Sequence, residues 1–117
     1  MEVRERVELS HLFGPHTDLD ALHWKPFRPD VDILIIYGHI GEGPCTALLR
    51  YQPGAVVPRH RHSGLEHIIV LRGEQSDDDA KVSAGTLLIK PPGTSHEIIS
   101  SKGCVVLAIW EKPVVFE

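Results

Sequence analysis

The sequence has few of the features that mark secreted, disulfide-stabilised or membrane-bound proteins. It contains only two cysteines, Cys45 and Cys104, and each lies within an apolar stretch. We interpret them as reduced, buried thiols rather than a disulfide, because free cysteine packs as a small apolar side chain. No apolar run reaches the roughly 18 residues of a membrane-spanning helix, and the charged N-terminus has no signal-peptide core. The cytoplasm is therefore the expected location.

An excess of positive charge is also missing. The chain carries 12 basic and 16 acidic residues, which gives a formal net charge of −4. A nucleic acid or an anionic membrane surface is usually bound by a basic patch, so neither partner is expected. With 117 residues, 42% of them hydrophobic and 24% charged, the composition is that of one ordinary globular domain. Histidine is the exception, with 8 residues.

Short apolar segments separated by glycine and proline predict an all-β fold. They are rich in β-branched and aromatic residues, which favour strands. The strong candidates are residues 31–37, 45–51, 66–71, 85–90, 96–100 and 105–110, and weaker ones are 7–9, 22–27 and 114–116. Apolar residues nowhere keep a helical period of 3.6 for three turns, so we expect an antiparallel sandwich or barrel.

The stretch from Gly54 to Gly73 contains the candidate chemical site. His60 and His62 are one residue apart, so both imidazoles lie on the same face if the segment is an extended strand. The next three residues can turn the chain, and Glu66 at the start of the following strand can then face the two histidines. Two imidazoles and a carboxylate form a ligand set for a transition metal.

Two ordered motifs in the chain resemble those of the cupin superfamily. The first motif is matched by Gly54, His60, His62, Glu66 and Gly73. The second is matched by Gly85, Pro91, Gly93 and His96, with Ser100 where asparagine is usual. The resemblance implies a double-stranded β-helix, or jelly-roll, in a single domain that covers residues 1–117. The barrel would span about 22–113, after an N-terminal arm at 1–21.

The same resemblance implies a metal site inside the barrel. Its four ligands would be His60, His62, Glu66 and His96. They would bind one divalent transition metal, with Fe, Mn, Zn and Ni as the candidates. Retention of these residues without useful metal binding is the alternative. His67 follows Glu66, so we expect it to point to the opposite face of its strand.

A narrower resemblance concerns the cupin domain of zinc-dependent, ChrR-type anti-sigma factors and related stand-alone cupins that are acetylacetone-dioxygenase-like. It rests on residues 22–24, 47–54, 73–77 and 100–104. Serine at position 100 is shared by that subgroup. The residues before the barrel lack the cysteine and helical pattern of an anti-sigma zinc-binding domain, so a complete anti-sigma factor is not expected. Small cupins usually form dimers, and the resemblance therefore implies a homodimer.

Two functions follow from this resemblance. The first is a metal-dependent oxygenase that acts on a small diketone-like, phenolic or carboxylate substrate. The alternative is a non-catalytic cupin that senses a metal or small molecule and works through a regulatory partner. A third, weaker hypothesis is a metal that only ties strands together. Fold alone cannot choose among them, because cupins have many functions.

Three further residues are candidates for contact with a substrate or for orienting the metal ligands. Arg50 could bind a carboxylate bidentately or form a structural ion pair, and Lys90 has the same two alternatives. Trp110 could line a pocket or pack in the core or a dimer interface. The residue types leave these alternatives open.

Overall fold

The computed structural model describes residues 6–14 and 19–116, and its regular elements are β-strands. They are β1 (Lys25–Arg28), β2 (Val31–Tyr37), β3 (Cys45–Tyr51), β4 (Ala55–His62), β5 (Glu66–Ser76), β6 (Lys81–Ser83), β7 (Leu87–Lys90), β8 (Ser95–Ser100), β9 (Cys104–Trp110) and β10 (Val114–Phe116). The predicted all-β class is confirmed. None of the described residues belongs to a helix that is long and apolar enough to span a membrane.

The strands form one curled antiparallel sheet with the order β1-β2-β3-β9-β5-β8-β4-β10, and β6 and β7 also pair with β5. The sheet has two walls. The first wall consists of β1, β2, β3, β9, β7 and the N-terminal part of β5, and the second consists of β10, β4, β8, β6 and the C-terminal end of β5. The 11-residue strand β5 therefore joins the walls, and the predicted jelly-roll is confirmed.

The two faces of the first wall are both buried. Its inner face forms the barrel core with residues such as Ala47, Val70 and Val106, each fully buried. Its outer face forms a second cluster around Leu48 and Leu71. Residues Leu12, Leu19, Leu22 and Trp24, which precede the barrel strands, pack against this second cluster. The N-terminal segment therefore shields apolar surface of the sheet from water, which stabilises the fold.

Two strand predictions near the N-terminus are wrong in part. Residues 7–9 form no strand, and Val7 and Leu9 are exposed. The strand predicted over 22–27 begins only at Lys25. The side chains of Leu22 and Trp24 pack on the outer cluster instead.

Both cysteines are free and buried, as predicted. Burial raises the pKa of the Cys104 thiol to about 11. It also raises the pKa of Cys45 above its ordinary value. Neither thiol is therefore ionised at neutral pH, and both act as packing residues.

Candidate metal centre

Three buried histidines converge inside the barrel. His60 and His62 lie on β4, and His96 lies on β8. One ring nitrogen from each of the three lies within 4.8 Å of the others. The antiparallel register explains the long-range contact, because β4 pairs with β8 so that His60 stands opposite His96. Alternation along β4 buries His60 and His62 while Arg61 stays exposed, which confirms the predicted common face.

Glu66 reaches the same cluster from the other wall. Its Oε1 lies 3.0 Å from Nε2 of His62. The chain does turn after β4 as predicted, but β4 and β5 do not pair with each other, since β4 pairs with β8 and β10. The carboxylate therefore faces the imidazoles across the barrel interior. Trp110, which stands opposite Glu66 in the β5–β9 register, donates its indole N–H to Glu66 Oε2.

Hydrogen bonds at the Nδ1 atoms decide which tautomer two of the histidines adopt. His60 Nδ1 lies 2.9 Å from the carbonyl oxygen of Pro58, which can only accept. His62 Nδ1 lies 3.2 Å from the Thr94 hydroxyl, and that hydroxyl donates its own proton to the Pro91 carbonyl. Both Nδ1 atoms therefore carry the proton, and both Nε2 atoms keep a lone pair, which is the arrangement of metal-bound histidine.

The His62–Glu66 contact shows that the cluster fits a cation. His62 Nε2 is buried and has no hydrogen-bond partner. Its nearest polar neighbour is Glu66 Oε1 at 3.0 Å, and in these protonation states both atoms are acceptors. Two buried acceptors at this distance are unfavourable unless a positive charge lies between them. Three imidazoles and one carboxylate are a donor set that suits a divalent first-row transition metal.

The pKa values of these side chains favour the protonation states that bind metals. Burial, assisted by the charge of Lys90, lowers the pKa of His96 from 6.5 to about 4. Burial also lowers the pKa of His60. For Glu66, burial alone acts to raise the pKa, but the positive charge of Lys90 and the indole N–H of Trp110 act against it, and its pKa is lowered. At neutral pH the His60 and His96 imidazoles are therefore neutral and the Glu66 carboxylate is ionised, as metal ligation requires.

The metal-free protein is expected to lose stability as the pH falls from 7 to 5. Because the pKa of His96 is lower in the folded state, at about 4, than in the unfolded chain, the unfolded chain binds the proton first. The loss should be on the order of 1 kcal/mol, measured from urea midpoints in the presence of a chelator. The variant His96→Gln should flatten this pH dependence. An unchanged slope in the variant would show that another group is responsible.

An apolar cavity of about 280 Å³ adjoins the cluster. His60, Glu66 and Lys90 line it together with apolar side chains such as Leu49, Ile68 and Ile98. Phe116 and Arg28 also line it, with the Arg28 guanidinium 4.2 Å from the centre of the Phe116 ring. A largely apolar cavity with a few convergent polar groups is the usual form of a small-molecule site.

The structure brings two of the three additional candidates to this cluster. Lys90 is buried, and its Nζ lies 3.3 Å from His96 Nε2 and 3.8 Å from Glu66 Oε1. Trp110 orients Glu66 and also lines the cavity. Arg50 does not line it. Its guanidinium forms an ion pair with Asp32 at 2.8 Å and lies over the Trp24 ring. Of the two alternatives for Arg50, the contacts are therefore those of a structural ion pair.

Sequence reasoning missed two residues that support the cluster. Thr94 fixes the His62 tautomer, and Asp77 places a carboxylate oxygen 3.7 Å from Lys90 Nζ. Alternation backwards from His96 could have indicated Thr94, which is two residues earlier. The sequence spacing of Asp77 and Lys90 does not predict their contact, because the contact depends on how the β5–β6 hairpin folds back.

Removing the indole N–H from Glu66 is expected to weaken metal binding. The variant Trp110→Phe keeps an aromatic side chain but leaves Glu66 Oε2 without this donor. Loss of a group that orients a ligand typically costs about 10- to 100-fold in metal affinity. Trp24→Phe is a matched control, because it removes an indole hydrogen bond to the Leu19 carbonyl in the outer cluster. Equal metal affinities for the two variants in a chelator competition would contradict this role for Trp110.

Comparisons with known proteins agree with this geometry. The family model described as the ChrR cupin-like domain matches residues 15–114. The anti-sigma-E factor ChrR of Cereibacter sphaeroides is 34% identical over 77 residues, which cover 63% of this chain and 36% of that protein. The present chain therefore matches only about a third of this relative's length.

Solved structures show the same barrel. The complex of SigE with the anti-sigma ChrR from Rhodobacter sphaeroides matches with 28% identity and a TM-score of 0.69, and covers 79% of this chain and 50% of that one. An acetylacetone dioxygenase from Acinetobacter johnsonii matches with a TM-score of 0.75, over 99% of this chain and 79% of that one, but with only 13% identity. The second likeness supports the fold alone. Since the family model covers nearly all the described strands, this chain belongs to the ChrR cupin-like domain family.

Proposed function

We propose that this protein binds one divalent transition metal through His60, His62, Glu66 and His96 and acts as an oxygenase on a small, largely apolar substrate. The observation that carries the proposal is that three buried imidazoles and a carboxylate converge beside an apolar cavity. A site that only tied strands together would not need an adjoining cavity of about 280 Å³.

When bound, Fe(II) or Mn(II) supplies Lewis acidity and one-electron chemistry toward O2. The protein supplies orientation and a dry environment. Trp110 holds the Glu66 carboxylate, and Thr94 holds the His62 imidazole. The apolar walls exclude water, which strengthens electrostatic interactions inside the cavity.

The cavity suits a compact molecule with an apolar body and one or two oxygens. Diketone-like, phenolic and carboxylate compounds all fit this description. Their apolar parts would contact side chains such as Ile68 and Ile98, and their oxygens would lie near the metal ligands His60 and Glu66, which also line the cavity. Tyr51 also lines the cavity, and burial raises the pKa of its hydroxyl well above the ordinary value, so it contributes a neutral phenol rather than a charge.

Metal analysis followed by oxygen uptake tests the oxygenase proposal. Protein purified without added metal should contain stoichiometric iron or manganese. The Fe(II)-loaded protein should consume O2 with at least one member of a panel of diketones, catechols and aryl carboxylates, while the Zn(II)-loaded protein should not. Stoichiometric zinc in the purified protein, together with no oxygen uptake by the Fe(II)-loaded form on any compound, would overturn the proposal.

The relatives favour a second candidate function, a regulatory domain that senses a metal or a small molecule. This chain is 34% identical to an anti-sigma factor over the matched region, and a related ChrR structure contains SigE as a partner. The regulatory function predicts metal-dependent binding to a sigma factor encoded in the same genome. A pull-down with and without a chelator measures this binding. Sigma-factor binding that is unchanged by the chelator and by the His62→Ala substitution would contradict metal sensing.

We also propose a cytoplasmic homodimer. Leu87 and Ile89 on β7 are 54% and 56% exposed, and within the described residues β7 pairs only with β5. An exposed apolar strand with an open edge is a surface that proteins normally cover. Light scattering after gel filtration should give twice the chain mass of 13.0 kDa, and Leu87→Lys should shift it to the monomer.

A further inference from the structure

Lys90 is a buried cation among atoms that a metal would use. Its side chain is only 9% exposed. The ammonium has three donors, and three acceptors surround it: His96 Nε2 at 3.3 Å, Asp77 Oδ2 at 3.7 Å and Glu66 Oε1 at 3.8 Å. A buried ammonium is tolerated only with such partners. The Glu66 and His96 atoms among them belong to the proposed metal ligands.

The ammonium and a metal ion would therefore compete for the same two ligand atoms, His96 Nε2 and Glu66 Oε1. The His96 Nε2 lone pair can accept a hydrogen bond from Lys90 or bind a metal, but not both. The charge on Glu66 can be balanced by either cation. A dication among these ligands would also repel the ammonium strongly, since the side chains involved are buried. Once metal binds, Lys90 keeps one of its partners, which is Asp77.

Hydrogen bonds in a turn position the Asp77 carboxylate to pair with the ammonium. Its Oδ1 accepts the backbone N–H groups of Asp79 and Ala80, each at 2.9 Å, in the turn between β5 and β6. These bonds hold the carboxylate in place and leave Oδ2 directed at Lys90. The hairpin thus holds a fixed negative charge beside Lys90 that does not belong to the proposed metal ligands.

We propose that Lys90 is an internal cation that neutralises the ligand cluster before metal binds, and that metal entry transfers its ammonium from Glu66 and His96 to Asp77. The inference rests on the metal site proposed above. Competition from Lys90 makes the metal affinity lower than the four ligands alone would give. The transfer of its ammonium to Asp77 connects metal occupancy of the site to the β5–β6 hairpin. In a sensing domain that hairpin is then a region that responds to metal.

Metal affinity of Lys90 variants tests the first half of the proposal. Chelator competition with Zn(II), which needs no turnover, should show that Lys90→Met binds the metal about tenfold tighter or more than the unmodified protein. Lys81→Met is the matched control, because it removes the same charge from an exposed side chain at the hairpin, where Lys81 pairs with Glu74. It should bind like the unmodified protein. Lys90→Gln serves as a second neutral variant if Lys90→Met does not fold.

A double-mutant cycle with Asp77 tests the second half. Asp77→Asn keeps an oxygen for the turn hydrogen bonds but removes the charge that receives the ammonium. It should weaken Zn(II) binding when Lys90 is present and have no effect in the Lys90→Met background. Equal losses in both backgrounds would overturn the transfer to Asp77.

The outcomes separate this proposal from the proposed metal site. If the unmodified protein and both Lys90 variants bind Zn(II) with equal affinity, the role of Lys90 is wrong and the metal site stands. If none of them binds, the metal site itself is wrong. Weaker binding by both neutral variants would show that Lys90 supports the metal rather than competing with it.

Discussion

Replacing His62 with alanine is expected to abolish stoichiometric metal binding. His62 is almost fully buried, at 1% exposure, and its Nε2 is the atom that faces Glu66 without a hydrogen-bond partner. Losing a group that merely supports a ligand costs about 10- to 100-fold in affinity, so losing the ligand itself should cost more. Elemental analysis after dialysis against a weak chelator should find a full equivalent of metal in the unmodified protein and almost none in the variant.

His67→Ala is the matched control for this experiment. His67 lies on β5 directly after Glu66, is only partly buried, and is not one of the clustered histidines. It should retain metal at the level of the unmodified protein. Full occupancy in His62→Ala would contradict the assignment. Loss of metal in both variants would mean that histidine substitutions act through folding, which the near-UV circular dichroism spectrum would show.

Replacing Gly73 with alanine is expected to destabilise the barrel more than replacing a glycine that has no close neighbour. Gly73 has φ of +78°, and a β-carbon there would lie 2.1 Å from the carbonyl oxygen of Gly103. That oxygen belongs to the backbone at the start of β9, so it cannot move without disturbing the β5–β9 pairing. We expect a loss of about 3 kcal/mol or more in the free energy of unfolding, measured by urea titration.

Gly85→Ala separates the backbone strain from the steric clash. Gly85 also has a positive φ, of +92°, but no atom lies within 4 Å of where its β-carbon would be. A left-handed conformation alone costs about 1 to 2 kcal/mol for a residue with a β-carbon. The difference between the two variants therefore measures the clash with Gly103. Equal losses would show that the β9 backbone can move aside.

Features governed by local geometry could be predicted from the sequence. The period of two along a strand was enough to place His60 and His62 on one face, and the bounds of β2, β3, β8 and β9 lie within one residue of those predicted. Strand β5, by contrast, continues through Gly73 to Ser76, beyond the predicted end at residue 71, and β6 was not predicted. Motif spacing also indicated Glu66 and His96 as neighbours of these histidines. The structure brings all four side chains together.

Features governed by long-range register could not be predicted. Arg50 stands opposite Asp32 in the β2–β3 ladder, and that pairing selects the ion pair over contact with a ligand. Only the register, which a one-residue slip would change, brings the two side chains together. The same is true of Asp77, whose approach to Lys90 depends on the path of a hairpin. Residues 7–9 contain apolar side chains but belong to no strand, so local propensity did not decide the structure there.

The joining of the two walls inside the barrel has a mechanical consequence. His60, His62 and His96 lie on the second wall and Glu66 lies on the first, so the ligands bridge the two walls across the barrel interior. Ligation would cross-link the two walls in the folded state, and because the unfolded chain has no preformed site, the binding free energy would add to the stability of the fold. Opening the barrel would then require breaking metal bonds as well as separating apolar faces. The loaded protein should accordingly resist proteases for longer, and release of the ion should be limited by the rate at which the two walls part.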